Sequence, residues 1–131
     1  MAEAMVATIG EALGVREDGE HVVVADFLRL LGVRWLHCPN GGKRDIVTAR
    51  KLQKMGVSPG VPDFLITAPA PAFPRARGIA IELKAPGGRV SAAQREWLDG
   101  LEADGWRAFV AMGAGDAIER IKACGYVMGA K

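Results

Sequence analysis

Two carboxylates and a lysine stand where strand pairing could bring them together. Asp63 opens the apolar run Phe64-Leu65-Ile66, and Glu82-Leu83-Lys84 ends a second apolar run nineteen residues further on. Glu82 and Lys84 are two apart, so on a strand both side chains leave one face while Leu83 points the other way. A carboxylate on a half-buried strand is costly unless it has a partner or a task. If the two strands pair, Asp63, Glu82 and Lys84 converge on a set able to hold a divalent metal and activate a water against a phosphodiester. Each residue alone has a plainer reading, Asp63 as a turn residue and Glu82 as the partner of Lys84 in a structural ion pair. The combination favours a site.

The residue types suit that chemistry. A hard cation such as Mg2+ takes oxygen ligands and keeps several waters, so two carboxylates and a strand carbonyl, that of Leu83, would serve it. Lys84 offers a compact positive charge to orient the water or offset developing negative charge. Glu20 is a candidate fourth member, on the inward stripe of its helix, although a Glu at a helix N-terminus is also favoured by the macrodipole. Gln94 either closes a capping box with Ser91 or reaches the site. His21 and His37 show no metal-ligand spacing with each other or with cysteine, and no nucleophile triad, P-loop or GxGxxG pattern occurs.

Several elements must position these residues. Residues 2–13 read as a weak helix, and 18–31 as a firmer one with Glu20, Val23, Val24, Phe27, Leu28 and Leu31 on one stripe. Val33 to Cys38 reads as a strand ended by Pro39-Asn40-Gly41-Gly42, and 45–55 as a short helix closed by Gly56. Strands follow at 62–67 and 78–84, separated by a proline-rich stretch, 68–77, expected to project as a loop. A helix from Ser91 to Asp104, a strand at 106–112, a helix at 116–124 and a short strand at Tyr126–Met128 complete the pattern. The order α–β–α–β–β–α–β–α implies an α/β fold, a small mixed sheet flanked by helices.

The chain of 131 residues reads as a single domain over 1–131, with 1–16 an N-terminal helical extension. It has no apolar run of membrane-spanning length and no secretion signal, so a cytoplasmic protein (bacterial, or in a phage-infected cell) with no membrane partner is expected. Cys38 and Cys124 fit reduced thiols. The net charge of +2 conceals an asymmetry: between Arg29 and Lys54 seven basic residues face Asp45 alone, a local +6 that leaves about −4 elsewhere. Arg50, Lys51 and Lys54 follow helical spacing along one side. Such a block is either a solvated helix face or a phosphate-binding surface.

GVPDFLI followed by IAIELKAPGGRVSAAQREWL resembles the VRR-NUC branch of the PD-(D/E)XK nuclease superfamily, with its G-x-PD strand, ExK strand and S-x-x-Q helix start. HCPNGGKRD, LQKMGVSPGVPD and EHVVVADFL resemble further stretches of its stand-alone phage and bacterial members, so the similarity covers roughly residues 17–125. The resemblance implies a restriction-endonuclease-like core, a central mixed β-sheet flanked by α-helices, and Mg2+- or Mn2+-dependent DNA cleavage. It implies Glu20, Asp63, Glu82 and the Leu83 carbonyl as metal ligands, Lys84 as the catalytic lysine and Gln94 as the motif glutamine beside Asp63 and Glu82. Asn40, Gly41, Gly42 and Arg44 match its PNGG-R stretch. His21 is a departure, standing where Gln is common. The resemblance further implies action on branched DNA such as Holliday junctions, hence a role in DNA repair, and a homodimer. Lys43, Arg44, Arg50, Lys51 and Lys54 would hold the phosphate backbone. The competing reading is a non-catalytic nucleic-acid-binding module of the same fold.

Overall fold

Glu82 and its apolar neighbours Ile79, Ala80, Ile81 and Leu83 are all buried, which makes their strand the axis of the molecule. The computed structural model describes residues 17–39 and 45–129. In chain order these form α1 (Glu17–Leu31), β1 (Trp35–His37), α2 (Ile46–Lys54), β2 (Phe64–Ile66), β3 (Ile79–Lys84), α3 (Ala92–Ala103), β4 (Arg107–Met112) and α4 (Ala114–Ala123). The order expected from residue 18 onward is the order observed; the expected extension at 1–16 lies outside the described residues.

The sheet has four strands in the order β1-β2-β3-β4. β1 and β2 pair antiparallel, β2 and β3 antiparallel, and β3 and β4 parallel, so α3 serves as the crossover between the parallel pair. Val24, Leu28 and Leu31 of α1 are buried with Phe64, Ile66, Ile81 and Leu83 from the sheet and Ala114, Ala117 and Ile121 from α4. The inward stripe read from the sequence is therefore the stripe that packs. α2 differs: Asp45 caps it by accepting the Thr48 N–H at 2.6 Å, yet none of its residues is buried.

Two expectations are corrected. The 68–77 stretch does not project. Ala70 is buried, the Ala72 N–H donates to the Cys124 carbonyl at 2.9 Å, and the Arg107 guanidinium lies over the Phe73 ring. The prolines stiffen a segment whose Ala and Phe side chains still gain by burial. Tyr126–Met128 forms no strand; the Tyr126 hydroxyl donates instead to the Ala68 carbonyl and the Gly129 N–H to the Leu31 carbonyl. These contacts pin the end of the described chain across the folded-back loop.

Candidate active site

Asp63 is fixed from several directions. Its carbonyl accepts the Cys38 N–H at 2.7 Å, which continues the β1–β2 pairing by one residue. The β2–β3 register pairs Phe64 with Ile81, so one step further Asp63 stands opposite Glu82. The carboxylate is pinned as well. Oδ2 accepts the Leu83 N–H at 2.7 Å, and Oδ1 lies 3.3 Å from His21 Nε2. Upstream, Gly60 adopts φ +86° and lies so close to α3 that a Cβ there would fall 2.5 Å from the Ala93 carbonyl carbon. Glycine at that position lets the segment leading to Asp63 rest on the first turn of α3.

Glu82 is the buried charged residue of the core, 3% exposed, and its Oε1 has no hydrogen-bond partner. Burial raises its carboxyl to about 8, the neighbouring Asp63 adds to the shift, and Lys84 and His21 oppose it. Burial pushes Asp63 in the same sense, but hydrogen bonds from His21, Glu82 and the Leu83 N–H outweigh it and hold Asp63 below the usual carboxylate range. Burial and the mutual proximity of the two carboxyls thus favour retention of a proton by the pair when no cation is present. An orphaned carboxylate oxygen beside a second, ionised carboxylate is the donor set a divalent cation satisfies, so Asp63 and Glu82 fit such an ion.

Lys84 ends β3, with its carbonyl accepting the Gly113 N–H at 2.7 Å. Among the described residues no ion pair within 4.0 Å joins it to Glu82, so the structural ion pair considered from the sequence does not form, although its charge still acts on Glu82. Glu20 and Gln94 each use a side-chain oxygen at a helix start. Glu20 Oε2 accepts the Ala114 N–H and so caps α4, whose own N-cap, Gly113, has no side chain to offer. Gln94 Oε1 accepts the Ser91 N–H at 2.8 Å while Ser91 Oγ accepts the Gln94 N–H, completing the capping box.

The histidines, set aside as metal ligands on their spacing in the sequence, are brought together by the fold. Sixteen residues apart in the chain, His21 and His37 nevertheless meet at Asp63. Among the described residues this is the group of three His, Cys, Asp or Glu side chains whose ligand atoms lie within 4.8 Å of one another. Both rings pack on Phe64, with centroids at 5.7 Å for His21 and 4.9 Å for His37. Burial and then His21 lower the His37 imidazole, with Asp63 opposing. A signal for His21 was present, because with Val24 and Leu28 it follows i, i+3, i+7 spacing, the most deeply buried line of α1. His37 became visible only with the β1–β2 register, which pairs it with Phe64.

Arg50, Lys51 and Lys54 are exposed on α2. Asn40, Gly41, Gly42, Lys43 and Arg44 lie outside the described residues. Beside α2 an apolar cleft is lined by Cys38, Leu52, Val57, Val61 and Trp97.

The acidic pair facing across the β2–β3 pairing, with a lysine two residues beyond the second acid, sits on an α/β fold, a four-stranded mixed sheet flanked, among the described residues, by four helices. The sequence matches the VRR-NUC domain over residues 13–115, and the chain belongs to the VRR-NUC family, whose members are generally nucleases of the PD-(D/E)XK type and generally use a divalent metal. A solved structure titled "VRR_NUC domain protein" is 28% identical, covers 85% of this chain and 87% of its own, and superposes with a TM-score of 0.68. No curated protein matches.

Proposed function

We propose that the chain is a metal-dependent DNA endonuclease that hydrolyses phosphodiester bonds, with Asp63, Glu82 and Lys84 at its centre. The observation that carries this reading is the buried Glu82 carboxyl facing Asp63 across the β2–β3 pair, with one oxygen lacking any protein partner. Asp63, Glu82 and the Leu83 carbonyl would hold Mg2+ or Mn2+, with Glu20, whose Oε2 caps α4, as a further ligand. Bound there, the ion would polarise the phosphate and acidify a water. The chain's own part is positional. The Leu83 N–H and His21 fix the Asp63 carboxylate, and Lys84, on the strand face of Glu82, places a positive charge where phosphate oxygens gain negative charge. Gln94 closes the capping box that starts α3, whose first turn lies against Gly60 on the approach to Asp63.

The substrate reading rests on charge and size. Exposed Arg50, Lys51 and Lys54, with Lys43, Arg44 and the Asn40-Gly41-Gly42 stretch preceding them in sequence, supply contacts to a phosphate backbone without reading bases. Selection would then fall on DNA shape, branched substrates such as Holliday junctions and hence a role in DNA repair. A homodimer would place two such small domains on opposing strands. Among the described residues no helix is long and apolar enough to cross a membrane, and a cytoplasmic setting accords with the DNA substrate.

The test is cleavage of supercoiled plasmid and of a panel of duplex, flap and four-way-junction DNA, with Mg2+, Mn2+ or EDTA. Metal-dependent cutting that is lost in Lys84→Ala supports the reading. Salt-sensitive DNA binding with no cutting by either protein would establish the non-catalytic module instead. Light scattering of the free and junction-bound protein decides the dimer.

A further inference from the structure

The chain contains two histidines, and both stand at Asp63. They arrive from separate elements, His21 on α1 and His37 on β1, while Asp63 immediately precedes β2. His21 Nε2 and Asp63 Oδ1 are 3.3 Å apart. Adjacent ligand atoms bonded at ~2.1 Å to one first-row ion are separated by about 3.0 Å in octahedral and about 3.4 Å in tetrahedral geometry. The His21–Asp63 spacing, a hydrogen bond in the metal-free protein, also falls within the range of two ligands of one ion, so a cation can replace the shared proton. The site is also braced, since the other Asp63 oxygen is held by the Leu83 N–H and both imidazoles rest on the buried Phe64 ring.

We infer that His21, His37 and Asp63 form a His2Asp site for a divalent first-row transition ion, and that this nitrogen-rich set makes the chain prefer such an ion to Mg2+. Mg2+ is a hard cation that takes oxygen ligands and surrenders its waters reluctantly, so two imidazoles offer it little. Imidazole suits Fe, Ni, Cu and Zn, and affinity rises from Mn2+ through Co2+ to Cu2+ before falling at Zn2+. Three protein ligands leave positions open for water or a phosphate oxygen, the arrangement of a reactive rather than a closed structural site. The inference deepens the reading above and rests on it only in sharing Asp63 as a ligand; cleavage of DNA is no part of it.

The experiment uses the full chain without a histidine tag, in the absence of DNA, with Co2+ as the probe. Calorimetric titration should give a Co2+ affinity at least a hundredfold tighter than that for Mg2+. His37→Ala, at an exposed position, should weaken Co2+ binding at least tenfold and Mg2+ binding less than threefold, and His21→Gln should behave alike. Proton NMR of the Co2+-loaded protein should show two strongly shifted, solvent-exchangeable imidazole N–H resonances, one lost in each variant. A histidine that merely oriented Asp63 by hydrogen bonding would give no such resonance. Equal affinities for Co2+ and Mg2+, an unchanged Co2+ affinity in His37→Ala, or the absence of shifted imidazole resonances would each overturn the inference. Should His21→Gln fail to fold, the His37→Ala titration and the wild-type spectrum still decide it. A protein that cuts DNA with Mg2+ yet fails these tests loses this inference alone, and one that binds Co2+ through both imidazoles yet never cuts loses the nuclease reading alone.

Discussion

The Leu83 N–H donates to Asp63 Oδ2 at 2.7 Å, so the residue between Glu82 and Lys84 uses its backbone to fix the carboxylate of the facing strand. The side chain of Leu83 meanwhile goes into the core, where it is 2% exposed. One short strand thus anchors the site through its apolar residue and presents the charged residues on either side of it.

Asp63→Ala and Glu82→Ala should bring cleavage to background while leaving the fold intact by circular dichroism. Lys84→Ala, which removes one stabilising charge but no metal ligand, should lower the rate by roughly 10²–10³. Retained cutting in either acidic variant would remove the assignment of the metal site to this pair.

The metal-free protein should grow less stable as pH rises across neutrality. Glu82 has its folded-state carboxyl raised from 4.5 to about 8, so the folded state binds the proton more tightly than the unfolded chain. Its contribution is fully present below pH 4.5 and is lost as pH rises toward 8. His37, whose imidazole is lowered, acts in the opposite sense and removes stability as pH falls below 6.5. Urea unfolding in EDTA at several pH values should therefore show the Glu82 effect most cleanly as the difference between wild type and Glu82→Gln. A difference that does not change with pH would mean Glu82 ionises normally.

The close approach at Gly60 predicts a contrast between two glycines of similar φ. Gly60→Ala would drive a Cβ to within 2.5–2.8 Å of Ala93 and Gln94 backbone at φ +86°, whereas Gly87 has φ +82° with nothing within 4 Å. Gly87→Ala should cost about 1–2 kcal/mol from the left-handed backbone alone. Gly60→Ala adds an overpacking penalty of about 1–3 kcal/mol and should also displace Asp63. Denaturant midpoints of the two variants check the order.

Capping by Glu20 is separable from any part in metal binding. Glu20→Ala leaves the Ala114 N–H at the start of α4 without its acceptor and should lower stability in EDTA by about 0.5–2 kcal/mol. Glu20→Gln keeps an acceptor and should recover most of that loss, as thermal unfolding would show.

Local pattern carried the reading of most elements, and the reason is physical. The stripe from Val24 to Leu31 and the alternation around Glu82 are periodic within a few residues, and a buried face imposes that periodicity directly. The convergence of Asp63 and Glu82 followed from two strands joined by one connection. What stayed hidden depends on contacts between distant segments. The cap that Glu20 supplies spans 94 residues, and the packing of 68–77 depends on Cys124, Tyr126 and Arg107. The meeting of His21 with His37 needed both the packing of α1 and the β1–β2 register, neither of which is written in the spacing of the two histidines.

The exposed cations of α2 should govern binding to DNA without governing the fold. The helix buries none of its residues, so replacing Arg50, Lys51 or Lys54 by Gln should change stability by less than about 0.5 kcal/mol. Removing one phosphate-binding charge should reduce the slope of log K against log salt by about 0.9 on duplex DNA, uniformly across sequences, because a cation on the backbone reads no bases. Fluorescence anisotropy at several salt concentrations, in an Asp63→Ala background with EDTA to prevent cutting, measures that slope. A triple variant whose slope matches the parent would assign these charges to a solvated helix face and leave the phosphate-binding surface to be sought elsewhere.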